Sequence, residues 1–492
     1  MRAPPVAGIN LNSDCHEDTA PAMSNPGAHN SNVIESFDQM VGILAAGARP
    51  RSEWRIGTEH EKFGFVKPDA AGPGRRAWSS PPYAPRGIEA LLRDLAAEHG
   101  GTRWEEIIDR GALIGLKGRA DAKGSSISLE PGGQFELSGA PLASLHQTEA
   151  EMAQHFSAIR PGCAELGLGF APLGFHPTAT RADIPWMPKS RYAIMRNYMP
   201  RVGALGLDMM LRTCTVQVNL DFGSEADMAR KMRVSLALQP VATALFASSP
   251  FYEGRPNGFL SNRARVWTDT DNARAGMPLF FMRDGFSFAR YVDWLLDVPM
   301  YFIMHNGEMV DVAGCSFRAW LDGTDLPGLP GVRPTIGDFE DHLTTAFPDV
   351  RLKQFLEMRG ADAGSPAMML AQSALWTGIL YDDATLHAAE ALVQEHAWEE
   401  YVALRAAVPR TGLETPWAGG TLRGLAARMI ELATDGLRAR ALRDGAGHDE
   451  TRYLAPLHEI ATGGPTQAEA WLAAYHGRWQ GDVTRIFAEA AV

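Results

Sequence analysis

The stretch that decides the fold is Thr58-Glu59-His60-Glu61-Lys62-Phe63-Gly64-Phe65, which places two carboxylates at alternate positions of a predicted strand. Side chains two residues apart in a strand lie on the same face, so Glu59 and Glu61 are expected to converge. Two like charges at that spacing are unfavourable unless a cation lies between them or one carboxylate is protonated. The pair therefore predicts either a divalent metal site or an acid/base pair. His60 points to the opposite face and is interpreted as a core histidine.

Similar polar alternations follow further along the chain. The segment Ser125–Ser138 predicts two strands joined by a Pro-Gly-Gly turn, and Leu211–Phe222 alternates polar and apolar residues. The polar positions on these and one later predicted strand are Glu130, Gln134, Glu136, Gln217, Asn219, Glu357 and Arg359. If the strands share one sheet, their glutamates line a common cavity and require cations there. Oxygen ligands without cysteine or clustered histidine favour Mg²⁺ or Mn²⁺.

Each polar stripe also has an ordinary structural interpretation. A glutamate two residues from an arginine on a strand is most often a surface ion pair that contributes about 0–1 kcal/mol. Arginines form a second feature, because Arg263 and Arg265 share one face of a predicted strand. Arg191 and Arg196 lie at the opening of a predicted helix. Guanidinium groups are bidentate partners of carboxylates and phosphates, so these arginines either bind an anionic substrate or balance surface acids.

The composition of the 492-residue chain argues against several classes of protein. The net charge is −12, and no basic run of the kind that binds nucleic acid is present. No apolar run reaches the roughly 18 residues of a membrane span. Four cysteines without a Cys-x-x-Cys pair indicate a reducing compartment, and we predict a cytoplasmic protein. Residues 1–30 are rich in Pro, Asn, Ser and Ala and are predicted to be a disordered extension.

The order of predicted elements indicates an α+β fold with an antiparallel sheet, since strands and helices do not alternate as regular βαβ units. Helical spacing is clear over Leu142–Leu166 and Ser224–Ser248, where Pro161 and Pro240 predict an interruption or kink. Beyond about residue 365 the chain is predicted to be mainly helical. We expect residues 31–492 to form one catalytic domain. The phosphate-binding P-loop and dinucleotide glycine patterns are absent.

Six stretches of the sequence form a specific combination. They are Thr58–Phe63, Pro131–Gly139, Arg196–Pro200, Leu211–Asn219, Trp267–Asp271 and Leu356–Asp362. Together they resemble glutamate–cysteine ligases of the plant and proteobacterial type, from about Ser31 to the C-terminus. The resemblance implies a fold like the catalytic domain of glutamine synthetase, in which a curved antiparallel sheet forms a funnel for metal and nucleotide. It also implies that ATP, L-glutamate and L-cysteine yield γ-glutamylcysteine through a phosphorylated glutamate, the first step of glutathione synthesis.

The resemblance also implies roles for the polar residues. The implied ligands of Mg²⁺ or Mn²⁺ are Glu59, Glu61, Glu130, Glu136 and Glu357. Arg359 would contact the transferred phosphoryl group, and Glu59 would take part in catalysis. Arg263 would bind the carboxylate of the substrate glutamate. The remaining predicted substrate contacts are Gln217, Asn219, Arg191 and Arg196.

Three rival functions stay open at this point. The chain could use another amine acceptor on the same fold, hydrolyse a substrate with a metal-activated water, or bind ligands without catalysis. A monomer or a homodimer is expected, with small molecules as the partners. Plant members of the resembled family carry regulatory disulfides, but Leu145–Glu149 and Met368–Ser373 contain no cysteine here and Cys315 has no evident partner. We therefore predict that this chain lacks such a switch.

Overall fold

The strand that contains Glu59 and Glu61 lies at the centre of a nine-stranded antiparallel sheet. The computed structural model describes residues 30–492, apart from the side chain of His99, so all but the last residue of the predicted N-terminal extension lies outside the described part. The strands are β1 (Ile56–Val66), β2 (Trp104–Asp109), β3 (Ala112–Gly118), β4 (Ser126–Leu129), β5 (Phe135–Ser138), β6 (Leu168–Ala171), β7 (Val216–Leu220), β8 (Val350–Leu352) and β9 (Leu356–Met358). Their order is β8-β9-β7-β1-β5-β4-β3-β2, and β6 pairs with the second half of β1.

Helices surround the sheet and dominate the C-terminal part of the described chain. They are α1 (Phe37–Ala45), α2 (Ile88–Gly101), α3 (Leu145–Leu166), α4 (Ser190–Tyr198), α5 (Gly206–Arg212), α6 (Glu225–Leu245), α7 (Asn262–Val266), α8 (Phe288–Asp297), α9 (Phe317–Leu321), α10 (Ile336–Thr344), α11 (Pro366–Leu380), α12 (Asp383–Val393), α13 (Trp398–Thr411), α14 (Leu422–Arg440), α15 (Ala455–Ala461), α16 (Gln467–His476) and α17 (Arg485–Glu489). Short strand pairs join 251–252 with 255–256, 275–276 with 347–348, 302–305 with 308–311, and 416–417 with 420–421. The predicted α+β class is confirmed, and the chain beyond residue 365 is mainly helical, from α11 to α17.

The strand register places the predicted polar stripes on one face of the sheet. Glu59 lies opposite Gln217 on β7, and Glu61 lies opposite Glu136 on β5. At the β9 side, Glu357 lies opposite Asn219. Directly opposed residues of antiparallel strands point to the same face, so these side chains form one continuous polar surface.

The other face of the sheet is apolar and packs against α3 and α11. His60 is buried on this side, where its Nδ1 lies 3.1 Å from Lys62 Nζ. Lys62 Nζ is also 3.0 Å from His155 Nε2 on α3, and burial lowers the pKa of Lys62 to about 7. The interpretation of His60 as a core histidine is confirmed.

The predicted interruption at Pro161 is wrong, and the helix that contains Pro240 shows no break there. Pro161 lies inside α3 and Pro240 lies inside α6, and both helices continue through them. A proline within a helix costs about 3 kcal/mol because a hydrogen bond is lost. Every residue from Val234 to Leu245 is buried, so the packing of α6 outweighs that loss. None of the helices within residues 30–492 combines the length and apolar character needed to cross a membrane.

Glu151 on α3 gives a prediction about stability. Its Oε1 accepts a hydrogen bond from Ala140 N at 2.8 Å, and burial raises its pKa to about 7. Because the folded state holds this proton more tightly than the unfolded state, stability falls as the pH rises from about 4.5 to about 7. A Glu151→Gln variant keeps the acceptor oxygen and cannot ionise. We expect it to be more stable than the wild type by up to about 3 kcal/mol at pH 8, with little difference at pH 5. Chemical denaturation at both pH values checks this, and an equal shift at both would contradict it.

Candidate active site

A cavity of about 120 Å³ lies over the polar face of the sheet. Eight of the predicted site residues line it, namely Glu59, Glu61, Glu130, Glu136, Arg191, Gln217, Arg263 and Arg359. Three others lie outside its wall, namely Asn219, Arg196 and Glu357. The sheet therefore brings together acidic and basic residues that are far apart in sequence.

The acidic half of the cavity is built on β1. Glu59 Oε1 accepts a hydrogen bond from Asn219 Nδ2 at 2.9 Å, and its Oε2 accepts one from Gln217 Nε2 at 3.3 Å. Burial raises the pKa of Glu59 well above its usual value, and the carboxylates of Glu357 and Glu136 raise it further. A buried carboxylate whose pKa is raised in this way either takes up a proton or requires a cation nearby.

Three further glutamates share these surroundings. Glu61 Oε2 accepts a hydrogen bond from Thr215 N at 3.0 Å, yet burial and the nearby carboxylates of Glu130 and Glu136 raise the pKa of Glu61 well above its usual value. Burial and then Glu136 also raise the pKa of Glu130. Glu136 itself accepts hydrogen bonds from Ser128 Oγ at 2.6 Å and from Ser138 Oγ at 3.2 Å. The acidic half thus concentrates negative charge that protein cations only partly offset.

The basic half lies at β8 and β9, where Glu357 is surrounded by cations. Arg351 Nη2 donates to both carboxylate oxygens of Glu357, at 2.8 and 2.9 Å. Lys353 Nζ lies 3.5 Å from Glu357 Oε2, and Arg359 Nη1 donates to Glu357 Oε1. Burial opposes ionisation, but these three cations hold the pKa of Glu357 well below its usual range. Glu357 is therefore ionised and already compensated.

Gln217 connects the two halves. Its Oε1 accepts a hydrogen bond from Arg359 Nη1, while its Nε2 donates to Glu59. Because one planar amide makes both contacts, the guanidinium of Arg359 and the carboxylate of Glu59 are held at a defined separation across it.

The predicted strand that contained Arg263 and Arg265 is wrong. Both residues lie in the short helix α7, which begins after Ser261, whose Oγ accepts a hydrogen bond from Ala264 N at 3.1 Å. Arg263 is buried, and Nη2 donates to Arg359 O at 2.8 Å. Among residues 30–492, no carboxylate oxygen lies within 4.0 Å of a nitrogen of its guanidinium. Burial lowers its pKa, although Asp362 and Glu61 favour the charged form.

A family model for glutamate-cysteine ligase family 2 matches residues 55–489, which include every strand and all but the first helix described above. The chain belongs to glutamate-cysteine ligase family 2. The predicted family and the prediction of a ligase are thereby confirmed. The match covers all the residues that line the cavity.

Relatives of this chain include plant enzymes named "glutamate–cysteine ligase, chloroplastic". The one from Solanum lycopersicum is 50% identical over 92% of this chain and 82% of its own length. Those from Brassica juncea and Arabidopsis thaliana are 50% and 49% identical over 92% of this chain and cover 83% and 82% of their own lengths. A solved glutamate–cysteine ligase from Francisella tularensis in complex with AMP matches 89% of this chain and 88% of its own, with 11% identity and a TM-score of 0.49.

The prediction of a cytoplasmic protein is wrong on this comparison, because these relatives of the ligase are chloroplastic. The prediction depended on the small number and irregular spacing of the cysteines. That pattern indicates reducing surroundings, and it does not distinguish one reducing compartment from another.

Other predicted substrate contacts of the ligase occupy different surroundings. Arg191 lines the cavity near the start of α4. Arg196, on the same helix, is exposed, and its guanidinium lies 4.7 Å from the centre of the Trp186 ring. The structure therefore brings Arg191 into the cavity and leaves Arg196 outside it.

Sequence reasoning missed several residues of the ligase site. Arg351 lines the cavity, and with Lys353 it forms a basic alternation before β9 that could have been read as a strand face. Trp267 also lines the cavity and is only partly buried. It follows Arg263 by four residues, which is the spacing of one helix face.

The acidic half of the ligase site fits a hard divalent cation in the chemistry of its donors. Within residues 30–492, no three carboxylates, imidazoles or thiols are grouped closely enough to hold a metal ion by themselves. Mg²⁺ commonly takes one or two protein carboxylates and completes its octahedron with water and substrate phosphates. The arrangement therefore suits an ion that enters together with a phosphate-bearing substrate.

Proposed function

We propose that the chain joins the γ-carboxylate of L-glutamate to the amine of L-cysteine with hydrolysis of ATP, giving γ-glutamylcysteine, ADP and phosphate. The plant relatives are named glutamate–cysteine ligase. The proposal adds ATP as co-substrate and a γ-glutamyl phosphate between two chemical steps. The reaction is the first step of glutathione synthesis. The observation that carries the proposal is that buried glutamates, whose charge the protein's cations only partly offset, line one cavity together with arginine side chains.

The two halves of the cavity suit the two demands of this chemistry. A carboxylate is a poor electrophile, so an oxygen of the γ-carboxylate first attacks the γ-phosphorus of ATP and the bond to ADP breaks. The cysteine amine then attacks the acyl carbon, and the carbon–oxygen bond to phosphate breaks as the amine loses a proton. Positive groups aimed at the transferred phosphoryl group stabilise its charge, and we assign this role to Arg359, which lines the cavity and donates a hydrogen bond to Gln217 Oε1.

Metal ligands in the proposal are the glutamates of the acidic half, namely Glu59, Glu61, Glu130 and Glu136. A bound Mg²⁺ or Mn²⁺ would neutralise the phosphate oxygens of ATP and act as a Lewis acid. Glu357 stays a predicted ligand, but its three cations make it the glutamate with the least need of a metal ion. Carboxylate-held metal would explain how the chain handles ATP without a P-loop.

Substrate carboxylates would meet arginines in the same cavity. Arg263 is buried, and among residues 30–492 its guanidinium donates only to the carbonyl of Arg359, so it retains donors for a ligand carboxylate. A buried guanidinium without an anionic partner is unfavourable, and binding of the glutamate carboxylate would supply that partner. Arg191 also lines the cavity, where the charge of Glu130 favours its protonated form, and it is proposed as a second substrate contact.

Phosphate release tests the proposal directly. We expect release from ATP to require Mg²⁺ or Mn²⁺, L-glutamate and L-cysteine together, and mass spectrometry to show γ-glutamylcysteine in equal amount. Replacing cysteine with other amino acids separates this acceptor from other amines on the same fold. Phosphate release without an amine acceptor would favour a hydrolase. The absence of both phosphate release and product would favour a binding protein. Either result would contradict the proposal.

A further inference from the structure

Asp362 is completely buried just beyond β9 and does not line the cavity. Its carboxylate accepts three hydrogen bonds: from Ser248 N at 2.9 Å, from Ser249 Oγ at 2.6 Å and from Ser261 Oγ at 2.7 Å. The first two donors follow α6, and the third lies at the start of α7. One carboxylate therefore ties together two segments that are distant from it in sequence.

The side chains of Ser249 and Ser261 connect Asp362 to Arg263 and to the start of α7. Ser249 Oγ accepts a hydrogen bond from Arg263 N at 3.2 Å, and Ser261 Oγ caps α7 by accepting one from Ala264 N. At the other end of the same residue, Arg263 Nη2 donates to Arg359 O. Both the backbone and the guanidinium of Arg263 are thus attached to the segment between Arg359 and Asp362.

Asp362 also offsets part of the free-energy cost of burying the charge on Arg263. Burial lowers the pKa of Arg263, and Asp362 is the acidic group that raises it most, followed by Glu61. The position of the carboxylate is tightly defined, because a Cβ atom added at Gly174 would lie only 2.4 Å from Asp362 Cγ. A longer side chain at position 362 has no room to reach the same serines.

We propose that Asp362 is a positioning residue that, through Ser249 and Ser261, holds α7 so that Arg263 meets the carboxylate of the amino-acid substrate. This inference rests on the proposed function, in which Arg263 binds the glutamate carboxylate. Asp362 makes no contact with substrate itself. Its effect is on the binding of glutamate, because the contact between Arg263 and Arg359 uses the backbone carbonyl of Arg359 and not the guanidinium assigned to phosphate.

Asp362→Asn tests the inference with little change in side-chain volume. An amide keeps one acceptor oxygen for Ser248 and Ser249 but loses the charge and the acceptor that faces Ser261. We expect the KM for glutamate to rise about 10-fold or more, since hydrogen bonds to a charged group are worth at least that factor. We expect kcat and the KM for ATP to change less than about 3-fold, because uniform binding of one substrate is lost. Equal changes in all three constants would overturn the inference.

A double-mutant cycle separates positioning from general destabilisation. In an Arg263→Lys background, Asp362→Asn should change the KM for glutamate by less than about 2-fold, because the group that it positions is already altered. Additive effects of the two substitutions would overturn the inference. Asp271→Asn is the matched control: Asp271 is also buried, pairs with Arg274 and lies outside the cavity, so the KM for glutamate should not change.

Ser249→Ala decides the question if Asp362→Asn does not fold. It removes only the hydroxyl that links Asp362 to Arg263 N, and it should raise the KM for glutamate several-fold. An unchanged KM would overturn the inference. If the wild type forms no γ-glutamylcysteine, the proposed function fails instead. The product assay on the wild type therefore distinguishes a failure of the proposed function from a failure of the positioning role of Asp362.

Discussion

Replacing Glu59 with glutamine is expected to lower kcat by about 100-fold or more, because a preorganised charge at the reacting groups is removed. Glu59 lies at the centre of the cavity, with hydrogen bonds from Gln217 and Asn219 that orient both oxygens. A glutamine keeps the size of the side chain but presents a neutral amide to the metal. Phosphate release in the presence of ATP, glutamate and cysteine measures the loss. The affinity for Mg²⁺, from its titration in the same assay, should fall as well.

The control for this substitution is Glu151→Gln, which removes another largely buried carboxylate outside the cavity. It should leave kcat within about 2-fold of the wild type, as expected of a change that touches no reacting group. A Glu59→Gln variant that folds and keeps wild-type turnover would sink the assignment of Glu59 to the metal site. A parallel loss of turnover in both variants would show that the effect is not specific to Glu59.

The sheet was predictable because its signal is local. In β7 polar and apolar residues alternate, and in β1 the two glutamates occupy alternate positions, so a period of two places each set on one face of the sheet. The Pro-Gly-Gly turn between β4 and β5 likewise marks a hairpin, and those strands do pair antiparallel. The glutamates of the cavity could be collected from these patterns alone, since Glu59, Glu61 and Glu136 lie on strands whose faces are set by their neighbours and Glu130 directly follows β4.

Other features could not be read from local sequence. The segment around Arg263 fits a strand with two arginines on one face, but it also fits a helix capped by Ser261, and tertiary contacts favour the helix. The compensation of Glu357 by Arg351 depends on pairing between β8 and β9, which a single sequence does not show. By contrast, the separation of Arg191 and Arg196 was predictable, because five residues turn a helix by about 500°, which leaves their side chains about 140° apart.

Replacing Arg359 with lysine is expected to lower kcat by about 1,000-fold, the scale of an arginine that stabilises a transferred phosphoryl group. Lysine keeps the charge but cannot contact Gln217 and a phosphate with one planar fork. The KM for glutamate should change little, because Arg263 rather than Arg359 is proposed to bind its carboxylate. Stability should also change little, since Glu357 retains Arg351 and Lys353 as partners.

The pattern of kinetic constants distinguishes this role from simple binding of ATP. An interaction made only in the transition state lowers kcat and kcat/KM equally, whereas one made equally in the ground state raises KM alone. A higher KM for ATP with unchanged kcat would therefore contradict the assignment of Arg359 to the transferred group. Arg233→Lys is the matched control, because Arg233 also pairs with carboxylates but lies outside the cavity. Its kcat should equal that of the wild type, so a loss confined to Arg359→Lys reports on phosphoryl transfer.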